Sequence, residues 1–228
     1  MQIAIDGPAS AGKSTVAKII AHKLNFTYID TGAMYRASTW IARENNVNYG
    51  DEKGILAAID HEQIEFKLEN GQQKIYAGNK DITQAIRTPE ISANVSQVSA
   101  LAGIREKMVS LQRQMAGEMN VVMDGRDIGT TVLPHAAVKI FLVASVHSRA
   151  ERRMLDFKER GIETSQTLAE IEHDISERDY KDSHRQISPL KKAEDAIEID
   201  TTSMTIDQVV EAILFEIKKS QKKLQKRI

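Results

Sequence analysis

The chain has 228 residues, 41% of them apolar, with 31 basic and 32 acidic side chains and a formal net charge of −1. This length suits one domain, either enlarged or carrying an insertion, and it argues against disorder as the main state. The near-neutral charge argues against a nucleic-acid binder with a basic excess along its whole length. Because the sequence contains no cysteine, disulfide frameworks, thiolate metal sites and cysteine nucleophiles are excluded.

The N-terminal segment predicts a cytoplasmic protein. Residues 1–6 contain no basic side chain and end in an aspartate, so we expect no signal peptide. No apolar run in the sequence approaches the roughly 18 residues that a membrane-spanning helix needs.

The first part of the chain alternates between apolar runs and glycine-containing turns. Residues 3–5 predict a strand, which a glycine-rich loop and a helix over residues 16–24 follow. A second strand ends at residues 28–29, and Asp30 or Thr31 is placed to cap the next helix.

Later segments continue this pattern with one exception. Strands are predicted at residues 121–123 and 138–143, and helices at 91–115, 145–160 and 206–228, so we expect a parallel sheet. In the exception, apolar and charged residues alternate from Ile64 to Leu68 and Asn70-Gly71 forms a favoured hairpin turn. We therefore predict an antiparallel β insertion over about residues 60–85.

Residues 7–14 match the phosphate-loop pattern G-x-x-x-x-G-K-S/T, between a predicted strand and a predicted helix. Inward-facing N–H groups and the helix N-terminus form a nest for polyphosphate. We expect Lys13 to bridge the β- and γ-phosphates of ATP and Ser14 to bind Mg²⁺. A glycine turn at a helix cap is the structural alternative. The predicted ATP-binding residues here are Gly7, Pro8, Ala9, Ser10, Ala11, Gly12, Lys13, Ser14 and Thr15.

A phosphate loop occurs in GTPases, motor proteins and small-molecule kinases, so it leaves the reaction open. A GTPase needs an N-K-x-D guanine-binding motif. The segment Asn79-Lys80-Asp81-Ile82 places its aspartate one position early, and we interpret it as a polar turn.

Two further motifs carry a family resemblance. The segment from Asp30-Thr31-Gly32 to Arg36 resembles the T-G-x-x-x-R segment with which nucleoside monophosphate kinases bind their acceptor nucleotide. The segment from Asp124 to Thr130 reads D-G-R-D-I-G-T, which resembles bacterial cytidylate kinases, whereas adenylate kinases carry a different sequence here. The resemblance to bacterial cytidylate kinases extends over nearly the whole chain and implies the reaction ATP + CMP → ADP + CDP.

This resemblance also implies the residues that bind CMP. Asp127 would accept a hydrogen bond from the cytosine N4 amino group, while Arg105 and Ser96 donate to N3 and O2. Without the resemblance, the sequence is equally consistent with Asp127 as a helix cap. The helical spacing of Arg178, Asp182 and Arg185 is likewise consistent with a row of salt bridges on the protein surface. The implied CMP-binding residues are Thr31, Arg36, Ser96, Arg105, Arg126, Asp127, Arg178, Asp182 and Arg185.

The arginine-rich helix is predicted to act as a lid over ATP. Arg149, Arg153 and Arg160 share a helical face, with Arg152 nearby, although solvated arginines on a surface helix are the alternative. We assign the catalytic roles to Lys13, Arg126 and Arg153. Asp124 follows a predicted strand, like the acidic residue that binds Mg²⁺ through water in other phosphate-loop proteins.

These observations together predict an α/β fold of three layers. A central parallel sheet is flanked by helices, with a small antiparallel β insertion and a short arginine-rich helical lid. We expect one kinase domain over residues 1–228, with a core (about 1–30, 86–145 and 165–228), an acceptor-binding region (about 31–85) and a lid (about 146–164).

The expected partners are ATP with Mg²⁺ as phosphoryl donor, and CMP or dCMP as acceptor. We expect a monomer that binds neither nucleic acid nor membrane. The alternatives are a nucleoside monophosphate kinase of other specificity, such as UMP/CMP, and a regulatory switch that hydrolyses a nucleotide slowly.

Overall fold

The computed structural model describes residues 1–69 and 72–225. Its strands are β1 (Gln2–Asp6), β2 (Thr27–Asp30), β3 (Ile64–Glu69), β4 (Gln72–Ala77), β5 (Lys80–Asp81), β6 (Val121–Gly125), β7 (Val138–Val143) and β8 (Ile197–Asp200). Its α-helices are α1 (Lys13–Leu24), α2 (Thr31–Glu44), α3 (Glu52–Glu62), α4 (Pro89–Ala100), α5 (Ala102–Ala116), α6 (Val146–Glu159), α7 (Leu168–His184) and α8 (Ile206–Gln225). A π-helical turn spans Ile128–Val132.

The chain divides into two compact units. The first comprises Met1–Asp30 and Arg113–Ile228, and the second is Thr31–Gln112. Residues 86–112, which were predicted to lie in the core, belong to the second unit together with residues 31–85. Within the described residues, no helix is both long enough and apolar enough to cross a membrane.

The first unit is built on a five-stranded parallel sheet with the strand order β2-β6-β1-β7-β8. Alternate residues of the central strands pack against α1 and α8, as the period-2 pattern of a strand requires. The buried cluster includes Ile3, Ile5, Val122, Ile140, Val16, Ile20, Ile213 and Ile217. Because parallel strands end at the same edge, the carboxylates of Asp6, Asp30 and Asp124 come to that edge.

The second unit combines helices with an antiparallel sheet of order β3-β4-β5. The predicted hairpin turn at residues 70–71 lies outside the described residues. The predicted polar turn is shorter than expected, because only residues 78–79 turn and Lys80–Asp81 forms the edge strand. The predicted fold class, a parallel sheet flanked by helices plus a small antiparallel sheet, is confirmed.

Three elements differ from the sequence prediction. The single helix predicted over residues 91–115 is wrong: two helices meet at Leu101, whose ψ of 129° is extended. Gly103 in the next turn lowers helix propensity, and its N–H donates to Glu52 at 2.9 Å. Helix α3, which the Asp51 side chain caps through Gly54, was not predicted. Strand β8 was also missed, because its alternation spans only four residues.

Candidate active site

The phosphate loop connects β1 to α1 and depends on two glycines. A Cβ atom at Gly7 would lie 2.1 Å from the Leu142 carbonyl oxygen, and Gly7 and Gly12 have φ values of 147° and 86°. Gly12 is the N-cap of α1, and within the described part of the chain no side chain caps this helix. The first N–H groups of α1 have no intrahelical acceptor and are therefore available to an anion.

Lys13 lies inside the loop as a buried cation. Its side chain is 6% exposed, and Nζ donates a hydrogen bond of 2.6 Å to the Pro8 carbonyl oxygen. Burial and the nearby charge of Arg126 hold the pKa of Lys13 well below its usual value. A polyphosphate beside Nζ would raise this pKa, because an opposite charge favours the protonated amine.

Asp124 lies at the end of β6, beside the start of α1. Its carboxylate accepts hydrogen bonds from Ser14 Oγ at 2.8 Å and from the Tyr28 hydroxyl at 2.7 Å. Burial and the charge of Asp30 raise the pKa of Asp124 to about 6.

The oxygen ligands at this position fit Mg²⁺, which binds few protein carboxylates and completes its shell with water and phosphate. Ser14 and Asp124 provide a hydroxyl and a carboxylate within hydrogen-bond distance of each other. In the part of the chain that the structure describes, no group of three or more His, Cys, Asp or Glu side chains could hold a metal. A Mg²⁺ ion here would therefore depend on nucleotide oxygens for its other ligands.

Asp6 connects the end of β1 to the segment after Asp127. Its Oδ1 accepts the Ile128 N–H at 2.8 Å, and its Oδ2 accepts the Gly129 N–H at 2.7 Å. Burial outweighs these two hydrogen bonds and raises the pKa of Asp6 to about 6. The backbone that follows Arg126 and Asp127 is thus fixed to the strand that leads into the phosphate loop.

A cluster of cations surrounds Lys13. Arg126 Nε donates to Asp182 Oδ2 at 3.0 Å, and Arg178 Nε lies 3.9 Å from the same oxygen. Burial lowers the pKa of Arg178 to about 10, and it also lowers the pKa of Arg153. Burial alone would raise the pKa of Asp182, but the neighbouring arginines lower it below its usual value. Several buried cations therefore lie close to Lys13 and can bind an anion.

Asp127 and Arg185 form a buried ion pair. Arg185 Nη2 lies 3.5 Å from Asp127 Oδ1, and Arg185 Nε donates to the Ser188 carbonyl oxygen at 2.6 Å. The Asp127 side chain makes no capping hydrogen bond to the π-helical turn that follows it, which argues against a role as a helix cap. The predicted helical row is incomplete: α7 ends at His184, so Arg185 lies just beyond the helix.

The second unit holds the remaining predicted CMP ligands. Arg36 Nη1 donates to Ser92 Oγ at 2.7 Å, and Ser96 lies one turn further along α4. Arg105 is 2% exposed, donates to the Ser99 carbonyl oxygen at 3.1 Å, and stacks 5.2 Å from the Tyr35 ring centroid. Thr31 begins α2 and is buried. Helices α2, α4 and α5 thus fix both arginines in place.

The arginines predicted for the lid, in α6 and just after it, have different partners. Arg149 is buried and donates to the Ala9 carbonyl oxygen at 3.0 Å. Arg152 donates to Thr201 Oγ1 and to the Thr201 carbonyl oxygen, at 3.0 and 2.5 Å. Arg160 is exposed and pairs with Asp156 at 2.7 Å. Arg149 thus contacts the phosphate loop, while Arg160 faces solvent.

Four residues that were not predicted contact predicted site residues or the segments that hold them. Asp6 accepts from the backbone that follows Asp127, Tyr28 donates to Asp124, Asp179 contacts the phosphate loop, and Ser92 accepts from Arg36. Two of them could have been found from the sequence. Asp6 ends the predicted strand before the phosphate loop, and Ser92 is four residues from Ser96, so both serines lie on one face of a helix.

Comparisons with known proteins point to one family. The family model described as cytidylate kinase matches residues 3–219. A cytidylate kinase of Lactobacillus johnsonii is 70% identical over 222 residues, covering 97% of this chain and 96% of that protein. A cytidylate kinase of Streptococcus pneumoniae is 53% identical over 220 residues, covering 96% and 98%. Among solved structures, an uncharacterized protein from Eubacterium ventriosum has a TM-score of 0.50 at 13% identity, covering 96% and 98%, which is a similarity of fold alone.

Proposed function

The chain belongs to the cytidylate kinase family, and from this we propose that it transfers the γ-phosphate of ATP to CMP and dCMP, forming ADP with CDP or dCDP. One structural observation carries the proposal. Lys13, Arg126, Arg153 and Arg178 accumulate beside the phosphate loop, and burial lowers the pKa of Lys13, Arg153 and Arg178. Such a cluster is stabilised by bound phosphate groups.

The donor half of the site is assigned to residues 7–15 with Arg152 and Arg153. The loop N–H groups and Lys13 bind the phosphates of ATP, and Ser14 holds Mg²⁺ with Asp124 acting through water. The metal ion, when bound with ATP, neutralises phosphate charge and orients the reacting group. The hydrogen bond from Ser14 to Asp124 supports this assignment, since it places both side chains at one position.

The residues proposed to bind CMP lie in both units. In the second unit, Thr31, Arg36, Ser96 and Arg105 are proposed to bind CMP. In the first unit, the proposed CMP ligands are Arg126, Asp127, Arg178, Asp182 and Arg185.

Asp127 is proposed to read the cytosine base. Arg185 lies beside Asp127 and holds this carboxylate in place, and its oxygens can accept a hydrogen bond from the N4 amino group. Uracil presents an oxygen at that position, and such a mispaired buried contact costs about 1–3 kcal/mol.

The chemistry requires positioning and charge rather than a general base. The acceptor is an oxygen of a phosphate monoester whose second pKa is about 6, so it is largely ionised at neutral pH. Asp124 and Asp127 are therefore not assigned as bases. Lys13, Arg126 and Arg153 stabilise the charge that moves toward the β–γ bridging oxygen and reduce repulsion between the two nucleotides. A lid over about residues 146–164 would exclude water from the reaction.

The remaining assignments complete the proposal. We place the protein in the cytoplasm as a monomer that binds small nucleotides and neither nucleic acid nor membrane. A kinase that uses UMP as well as CMP, or a slow nucleotide-hydrolysing switch, are the other candidates, and the experiment below separates all three.

A coupled assay of ADP release tests the function directly, with CMP, dCMP, UMP and AMP as acceptors. We expect CMP and dCMP to give a kcat/KM at least about tenfold above that of UMP. The Lys13→Ala variant should lose about a hundredfold or more of the turnover while remaining folded by circular dichroism. Equal use of UMP and CMP would indicate the broader kinase. ADP release that needs no acceptor would indicate the switch, and wild-type turnover in the variant would contradict the donor assignment.

A further inference from the structure

Ala9, in the phosphate loop, is held through both of its backbone polar groups. Its carbonyl oxygen accepts a 3.0 Å hydrogen bond from Arg149 Nη1, and its N–H donates to Asp179 Oδ1 at 3.3 Å. Arg149 Nη1 also donates to Asp179 Oδ2 at 2.5 Å. The three residues form a closed ring of interactions between the loop, α6 and α7.

The ring is anchored away from the loop as well. Arg149 Nε donates to the Ala144 carbonyl oxygen at 3.0 Å, just after β7. The side chains of Arg149 and Asp179 are only 5% and 21% exposed. Ser10, which follows Ala9, has a φ of 59°, a left-handed conformation that non-glycine residues disfavour. The contacts of Ala9 with Arg149 and Asp179 therefore lie beside the disfavoured turn at Ser10.

We propose that Arg149 and Asp179 are positioning residues of the ATP site, because together they hold Ala9 and keep the phosphate loop in its anion-binding shape before ATP arrives. This inference rests on the proposed function only in assigning ATP to the loop. Neither side chain needs to touch the nucleotide. A loop that is already ordered loses less conformational entropy on binding, so its affinity is higher.

The charges make the two residues interdependent. A lone carboxylate beside an anion-binding loop repels a triphosphate, and Arg149 neutralises that charge in Asp179. Removal of Arg149 alone therefore has two effects at the loop, since it frees the Ala9 carbonyl and leaves the Asp179 charge without its partner; it also frees the Ala144 carbonyl after β7. Removal of the Asp179 charge in the same chain cancels the second effect. An ion pair that only joins α6 to α7 would not produce this pattern in ATP affinity.

Isothermal titration of the full chain with ATP and Mg²⁺, in the absence of CMP, tests the inference. We expect Arg149→Met to weaken ATP binding at least about tenfold, and the double variant with Asp179→Asn to recover part of that loss. Arg149→Lys keeps the charge and gives an intermediate result. Glu172→Gln is the matched control, because it removes another contact between α6 and α7, the 2.6 Å pair of His147 Nδ1 with Glu172 Oε1. The control should bind ATP within about twofold of wild type.

Titration with CMP separates positioning from a general loss of structure. The CMP affinity of Arg149→Met should stay within about twofold of wild type, whereas a poorly folded variant loses both ligands. Wild-type ATP affinity in Arg149→Met, or an equal loss in Glu172→Gln, would overturn the inference, as would a double variant that binds ATP more weakly than Arg149→Met. A wild-type chain that binds ATP but phosphorylates neither CMP nor dCMP would overturn the proposed function and leave this inference standing.

Discussion

Replacement of Asp6 by asparagine gives a change in stability whose size depends on pH. The carboxylate is buried at the end of β1 and accepts the N–H groups of Ile128 and Gly129. Burial raises its pKa from 3.8 to about 6 in spite of these hydrogen bonds. At neutral pH the folded chain therefore keeps an ionised group that its surroundings disfavour.

The size of the effect follows from proton linkage. Between pH 3.8 and about 6 the folded chain binds more protons at Asp6 than the unfolded chain does, so the stability contributed by this group rises as the pH falls. For a shift of about two pKa units, the contribution to the free energy of unfolding grows by about 1.4 kcal/mol from pH 7.5 to pH 5. It approaches about 3 kcal/mol below pH 4.

Urea unfolding of the ligand-free wild type and Asp6→Asn at pH 7.5, 6 and 5 measures how the contribution of Asp6 to the free energy of unfolding changes with pH. The difference between the two proteins isolates Asp6, since the other titrating groups are present in both. Asp195→Asn is the control: the hydrogen bond from Lys139 lowers the pKa of Asp195 from its usual 3.8, so this carboxylate stays ionised in the folded and the unfolded chain from pH 7.5 to 5. The difference in stability between the wild type and this variant should therefore stay constant over that range. The reasoning is refuted if the difference between wild type and Asp6→Asn stays constant from pH 7.5 to 5, or if NMR gives Asp6 an apparent pKa below 4.

Three further substitutions test the individual assignments. Asp127→Asn should narrow the ratio of kcat/KM between CMP and UMP about tenfold, and an unchanged ratio would show that the base is read elsewhere. Arg105→Met removes the hydrogen bond to Ser99 and should raise the KM for CMP about tenfold with the KM for ATP unchanged, as steady-state kinetics would reveal. Ser14→Ala should raise the Mg²⁺ concentration for half-maximal activity several-fold, about five to ten times, and a metal titration that matches wild type would remove Ser14 from the metal site.

The phosphate loop and the parallel strands could be predicted because each depends on residues close together in sequence. The glycines, Lys13 and Ser14 all lie within one motif, and the buried strands around residues 121–123 and 138–143 appear as short apolar runs. The break at Leu101 could not be predicted, because the apolar pattern continues across it and the Gly103 contact to Glu52 is tertiary.

The contacts of Asp6 and Arg149 could not be predicted from the sequence for a different reason. Asp6 meets Ile128 and Gly129 across more than 120 residues, and this depends on the register that pairs Asp6 with Gly125. Helical spacing correctly places Arg149 on one face with Arg153, but it does not show that the first turn of α6 lies against the phosphate loop. Which partner a buried arginine meets is decided by tertiary packing, and one sequence carries no signal for it.

The two glycines of the phosphate loop differ in which amino-acid substitutions they can tolerate. At Gly7 any side chain would collide with the Leu142 carbonyl, so every amino-acid change at that position should be eliminated in a library selected for kinase activity. At Gly12 no atom of the described residues lies within 4 Å of the place that a Cβ would take, so the protein opposes a side chain there through the backbone angle and not through a collision. Asparagine tolerates positive φ better than other side chains, so survivors at residue 12 should be enriched in it, while residue 7 stays invariant.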